Sequence, residues 1–215
     1  MKKENSPIDK LFYEREMTEL GAQYIAGVDE VGRGPFAGPV VCAAVILPLE
    51  KKNLIEGIDD SKKLKEGERE RLAELIKERA IAYKICEVDN KTIDRINILQ
   101  ATKLCMKQAV EGLAVEPDVV FVDGNFKIDI TLPQQTLIKG DALSYSIGAA
   151  SILAKVYRDR LMCEFDKIYP QYGFAQHKGY GTKMHRDAIR EYGLCEIHRR
   201  TFIKNHSENT EKDGQ

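Results

Sequence analysis

The chain has 215 residues, 43% hydrophobic and 31% charged, which fits one folded domain of ordinary size and excludes a disordered or fibrous protein. Thirty-three Lys and Arg against thirty-four Asp and Glu leave a formal charge of −1, so any basic surface has to be local. Apolar runs such as residues 40–48 stop far short of the roughly 18–20 residues that cross a bilayer, and the charged first residues contain no apolar leader core. A cytosolic (cytoplasmic) protein without a membrane span is expected. The five cysteines, Cys42, Cys86, Cys105, Cys163 and Cys195, are odd in number and include no C-x-x-C, so they read as reduced packing residues.

In chain order, residues 1–21 read as a short amphipathic lead-in, a helical turn or two closed by Gly21. Residues 24–31 (YIAGVDEV) and 39–47 (PVVCAAVIL) predict two strands joined by a glycine-rich loop. A surface helix follows over 66–79, after the charged DDSKKL segment; then come a strand over 81–88, a helix over 91–113, a buried strand over 118–122 and a short strand near 134–138. Residues 142–168 read as one long helix with small residues near its start, and residues 183–192 as another. Between them, residues 169–181 (YPQYGFAQHKGYG) have the Gly, Pro and Tyr content of an ordered functional loop rather than a helix. Residues 205–215 are polar and expected to fray. The order of elements predicts an α/β fold with a mixed central sheet, with one domain over 22–204 between the lead-in and the tail.

Four acids stand out. Asp29 and Glu30 interrupt an apolar strand where packing alone would favour hydrophobic residues. Neighbouring strand residues point to opposite faces, so the two converge only if the strand ends or bulges at the glycines of residues 32–38. Asp123 ends a buried strand and precedes Gly124, at the sheet edge where sites of α/β folds collect. Asp141 precedes the small-residue helix; such an acid taken alone is more often an N-cap or a surface ion pair, and Asp141 in particular could merely cap its helix. Taken together, in a chain lacking a Cys/His metal cluster, they are better explained as an all-oxygen site for Mg²⁺ or Mn²⁺. Two such ions roughly 4 Å apart would activate water and stabilise the leaving oxygen of a phosphoryl displacement.

Other signatures are weak or missing. Gly32-x-Gly34-x-x-x-Gly38 opens a strand instead of a helix, and no P-loop, G-x-S-x-G or H-E-x-x-H occurs. His177, His185 and His198 fit no zinc spacing and read as capping or packing residues. Residues 139–204 carry 12 basic against 7 acidic groups, which is either a solvated face or a local nucleic-acid surface.

In order, the segments YIAGVDEVGRGPFAGPVVCAAVILP, DDSKKL, FVDGN, KGDALSYSIGAASILAKVYRDRLM, YPQYGFAQHKGYGTKMH and IHRRTF resemble the successive motifs of the ribonuclease HII family, from about residue 22 to residue 202. The resemblance implies a ribonuclease H-like mixed sheet flanked by helices, with a helical C-terminal extension. It implies an endonuclease that cuts the RNA strand of RNA–DNA hybrids and single ribonucleotides embedded in duplex DNA, using two Mg²⁺ or Mn²⁺ ions. The family's acidic ligands fall on Asp29, Glu30, Asp123 and Asp141. Its Gly-Arg-Gly element, which reads the 2′-hydroxyl, falls on Gly32, Arg33 and Gly34, and its junction-sensing tyrosine on Tyr180. Lys155, Arg158, Lys178 and Arg199 are then expected as phosphate contacts. Residues 1–21 are too few for the extra N-terminal substrate-binding domain of some members, and a monomer is expected, its protein partners unspecified. Two rivals remain at this stage: a module that binds hybrid nucleic acid without cutting it, and a DNA nuclease or strand-transfer enzyme of the same broad fold.

Overall fold

The computed structural model describes residues 9–203, so the expected tail over 205–215 and the first eight residues lie outside it. After a two-turn helix α1 (Phe12–Glu19) come β1 (Ile25–Val31), β2 (Val40–Ile46), α2 (Glu66–Arg79), β3 (Ala82–Val88), α3 (Asn90–Glu111), β4 (Val119–Asp123) and β5 (Gln134–Leu137). The chain then forms α4 (Gly140–Leu143), α5 (Tyr145–Ile168), α6 (Phe174–His177) and α7 (Lys183–Tyr192). The five strands form one mixed sheet in the order β3-β2-β1-β4-β5, with β1 antiparallel to β2 and parallel to β4. This is the α/β architecture expected from the sequence.

Every residue of β2 is buried because both faces of the sheet are covered. Val40, Cys42, Ala44 and Ile46 pack with Ala101, Cys105, Met106 and Ala109 of α3. Val41, Ala43 and Val45 face the other way, onto Ala149, Ala150, Ile152 and Leu153 of α5, with Leu72 and Ile76 of α2 beside them. The small residues at the start of α5 allow a very close approach. A Cβ added to Gly27 in β1 would lie 2.2 Å from the carbonyl carbon of Ser146 and 2.3 Å from the nitrogen of Ile147, so helix backbone rests on strand backbone there.

Three expected elements differ in detail. The helix expected over 91–113 is broken at Asn97, whose φ of 64° is left-handed and whose side-chain oxygen accepts the amides of Leu99 and Gln100, capping a fresh helical segment. The helix expected over 142–168 is two. Ser144 is extended (φ −115°, ψ 135°), and its hydroxyl accepts the amide of Ile147, so α4 and α5 meet at a corner. Residues 169–181, expected to be loop, contain a 3-10 turn (Pro170–Tyr172) and the single turn α6, which Gly173 and Lys178 bound in left-handed conformations. Among the described residues no helix is long and apolar enough to cross a membrane, and all five cysteines are free.

Because the atoms a Cβ would meet at Gly27 are main-chain and cannot turn aside, Gly27→Val should lower the unfolding free energy by about 3 kcal/mol. Urea denaturation checks this; an unchanged midpoint would show that α5 does not press on β1.

Candidate metal centre and ribose-facing loop

Parallel pairing of β1 with β4 places Val28 opposite Val122, so Asp29 and Asp123 follow side by side at the carboxyl ends of neighbouring strands. Both lie on the face that α5 covers, since Gly27, two residues before Asp29, touches α5, and Phe121, two before Asp123, packs with Ile147. Glu30 starts from the opposite face. The β1–β2 register runs unbroken to Val31↔Val41 and β1 ends there, just before Gly32, so of the two expected routes the strand ends and does not bulge. β4 in turn ends at Asp123, leaving that side of β1 open past Val28, and carboxylate oxygens of Asp29, Glu30 and Asp123 come within 4.8 Å of one another.

Asp141 occupies the first turn of α4 beside this trio. The amide of its neighbour Gly140 donates to Asp123 Oδ1 at 2.6 Å, tying the corner to the end of β4. Asp141 accepts the amide of Ala142 at 2.9 Å, so it does bond at its helix start, but it also approaches Lys62 Nζ at 3.9 Å.

The electrostatics are those of carboxylates short of positive charge. Burial, then repulsion from Glu30 and Asp123, pushes Asp29 well above the ordinary carboxylate range. Glu30 is raised chiefly by burial, against the pull of Arg33, whose guanidinium stands 3.6 Å away. Asp123 is raised by burial, which the Gly140 amide opposes, and Asp141 by burial and by Asp60 and Asp123. Burial tends to lower the Lys62 ammonium, but Asp141, Asp60, Asp29 and Asp123 raise it. Lys62 is 81% exposed and therefore cannot neutralise the group. Hard oxygen donors, gathered with one another and raised chiefly by burial, with repulsion adding to it at Asp29, Glu30 and Asp141, fit a divalent cation such as Mg²⁺ or Mn²⁺. Lys62 was not singled out from the sequence; the signal was its place in DDSKKL, while Asp141, which it approaches, is distant in sequence.

Next to the acids, residues 32–39 form a loop pinned from beneath. Gly32 has a φ of 91°, and a Cβ there would meet Arg158 Nε at 2.2 Å, so only glycine fits. Arg33 and Gly34 are exposed. The ring of Tyr180, 44% exposed, stands 3.7 Å from where a Cβ on Gly34 would be, so the structure does bring this expected pair together. The segment carrying Tyr180 docks on the loop through the Phe36 amide, which donates to Gly179 O at 2.8 Å.

Of the four basic residues expected at phosphates, two are internal. Arg158 and Arg199 are fully buried, and their hydrogen bonds go to main-chain oxygens. Burial pushes Arg158 down to about 10; Arg199, buried and repelled by Arg158, falls to about 9, so both remain charged at neutral pH. Neither can reach a phosphate. Lys178 turns inward, its Nζ donating to Ala175 O at 2.7 Å and to Cys163 Sγ at 3.1 Å, while Lys155 pairs with Asp159 at 2.8 Å and keeps a half-buried position on α5. The basic excess of residues 139–204 is thus partly internal.

The three histidines form a neutral network under the same segment, as packing groups. His177 Nε2–H donates to Tyr172 O and its Nδ1 accepts the Gly179 amide. His185 Nδ1–H donates to Tyr180 O, leaving its Nε2 to accept from His198 Nε2–H at 3.0 Å, while His198 Nδ1 accepts the Cys195 amide. Burial first, then neighbouring histidines, pushes His185 and His198 down to about 4, in keeping with these tautomers.

A family model described as ribonuclease HII matches residues 26–207. The chain is similar to ribonuclease HII of Acetivibrio thermocellus, 54% identical over 94% of this chain and 78% of that one. Among solved structures it resembles ribonuclease H2 from Pyrococcus horikoshii, with a TM-score of 0.73 and 27% identity over 88% of this chain and all of that one. It also resembles ribonuclease HII of Archaeoglobus fulgidus in a complex with PCNA, with a TM-score of 0.71 and 26% identity over 82% of this chain and 94% of that one.

An acid whose folded-state pKa is raised takes up protons on folding, so in metal-free protein this group favours the fold at low pH and that contribution is lost as pH rises through its raised pKa. Asp29→Asn removes the penalty. In chelator it should melt above the parent at about pH 8, with the gap closing towards about pH 5, and it should lose most of the stabilisation that added Mn²⁺ gives the parent. Melting curves of both proteins, with and without Mn²⁺, decide this; equal melting at every pH would show that the buried Asp29 charge carries no penalty.

Proposed function

The chain belongs to the ribonuclease HII family, nucleases that hydrolyse the RNA strand of RNA–DNA hybrids, and from that membership we propose that it also cuts on the 5′ side of ribonucleotides embedded in duplex DNA. The observation that carries this reading is the convergence of Asp29, Glu30 and Asp123, with Asp141 beside them, next to the Gly32-Arg33-Gly34 turn, of which Arg33 and Gly34 are exposed and flanked by Tyr180.

We assign Asp29, Glu30, Asp123 and Asp141 as the ligands of two Mg²⁺ or Mn²⁺ ions. When bound, such ions lower the pKa of water and offset charge on the attacking and leaving oxygens of an in-line displacement, leaving a 3′-hydroxyl and a 5′-phosphate. Asp29, between Glu30 and Asp123, is the carboxylate best placed to be shared. Lys62, next to Asp141 and exposed, is placed to meet a phosphate. Arg33 and Gly34 present main chain without a bulky Cβ at the second glycine, which allows close approach to a 2′-hydroxyl, and the ring of Tyr180 offers a flat face to the neighbouring deoxyribose. Lys155 is the remaining lysine for a phosphate, provided that it leaves Asp159. A DNA nuclease of the same fold would have no use for a ribose reader, so an all-DNA duplex separates the two readings.

A duplex carrying one ribonucleotide, incubated with Mg²⁺, with Mn²⁺ and with chelator, should be cut once, at the 5′ side of that residue, and only with metal. Asp29→Asn should reduce turnover by about a thousandfold or more while the protein stays folded. Tyr180→Ala should slow cleavage at the lone ribonucleotide more than cleavage of a long hybrid. Equal loss on both substrates would remove the junction role of Tyr180, and cleavage of all-DNA duplex would remove the ribose-reading role of the turn.

A further inference from the structure

Arg158 and Arg199 head the fully buried side chains by size, and the acid site gives neither a task. Two guanidiniums taken out of water are costly to keep unless each donor is well placed. Arg199 Nη2 donates to Gly32 O at 2.6 Å, its Nη1 to Arg33 O at 2.9 Å, and its Nε to Gly38 O at 2.9 Å. Arg158 donates to Pro39 O at 3.0 Å, to Ala37 O at 3.1 Å and to Lys178 O at 2.9 Å, the last only two residues before Tyr180.

In a trans peptide the carbonyl of one residue and the amide of the next point in opposite directions, and none of the described peptides is cis. With the Gly32 and Arg33 carbonyls held inward by Arg199, the amides of Arg33 and Gly34 are turned outward, on the exposed part of the loop. Neither amide donates to a protein group among the described residues. They are free donors on the exposed part of the loop, and the Tyr180 ring stands beside Gly34.

We infer that Arg199 is a positioning residue for ribose recognition: its fork holds the Gly32 and Arg33 carbonyls and thereby aims the Arg33 and Gly34 amides at the 2′-hydroxyl. The inference rests on the ribose-reading role proposed above for Gly32-Arg33-Gly34. Arg158 completes the arrangement by tying the Tyr180 segment to the same loop, which fixes the distance between ring and amides. Lysine cannot replace Arg199, because one ammonium cannot span three carbonyls in a planar fork.

The test is equilibrium binding, in chelator to prevent turnover, of two duplexes that differ by one 2′-hydroxyl. Repulsion between the bare acids and phosphate weakens both alike and cancels in the ratio. The wild type should prefer the ribonucleotide duplex by about fivefold to tenfold, the worth of one or two hydrogen bonds. Arg199→Lys should bring that ratio near one while binding of the all-DNA duplex stays within about twofold. A merely structural defect would weaken both duplexes together, so a folded variant that keeps the wild-type ratio overturns the assignment. Arg199→Gln, which removes the buried charge but equally loses the fork, is the second variant should the lysine form not fold, and the same loss of ratio is expected. A wild-type ratio of one overturns the ribose-reading role itself, and this assignment with it.

Discussion

The contact between Gly27 and the Ser146–Ile147 backbone sets the registration of α5 on β1, and much of the rest follows from it. With no Cβ between them, strand and helix meet at main-chain distance, which leaves little freedom to slide. The amino end of α5 then fixes the α4 corner, since Gly148 packs against the Asp141 carbonyl and the Gly140 amide bonds to Asp123. Further along the same helix, Arg158 reaches the loop that follows β1. One helix, seated on one strand, therefore positions the fourth acid and the ribose-facing turn together.

Two groups of like charge are held out of water on either side of β1's end, and they are tolerated for different reasons. The carboxylates are raised in pKa by burial first and by their mutual repulsion second, which is unfavourable until a cation arrives; the fold is strained electrostatically where chemistry is to occur. The guanidiniums are satisfied already, because carbonyl dipoles surround them. The first group is an unfinished site and the second a finished brace. The neutral histidines beneath the Tyr180 segment belong with the brace, since their two-nitrogen network is complete without any added proton.

The architecture was legible in the sequence because strand and helix periodicities agree with it: β1 and β2 are apolar runs split by glycines, and α2 and α7 follow their expected spans. The breaks at Asn97 and Ser144 were not, although both residues are good caps, because a cap inside a continuous apolar pattern reads as helix until packing forces the turn. The four acids stood out because charge in an apolar strand demands compensation.

The sequence by itself determined the strands, the spans of α2 and α7, the strand-end acids and the membership of a nuclease family, since each depends on local pattern or on motifs in order. Only the tertiary structure decided which charges are used outward and which inward. Arg158 and Arg199 look like any surface arginine in a basic stretch, and Asp29 and Glu30 like residues on opposite faces. Burial and the end of β4 are non-local facts: they arise from strands and helices brought together across the chain, and no local spacing encodes the direction in which a long side chain will find its partners.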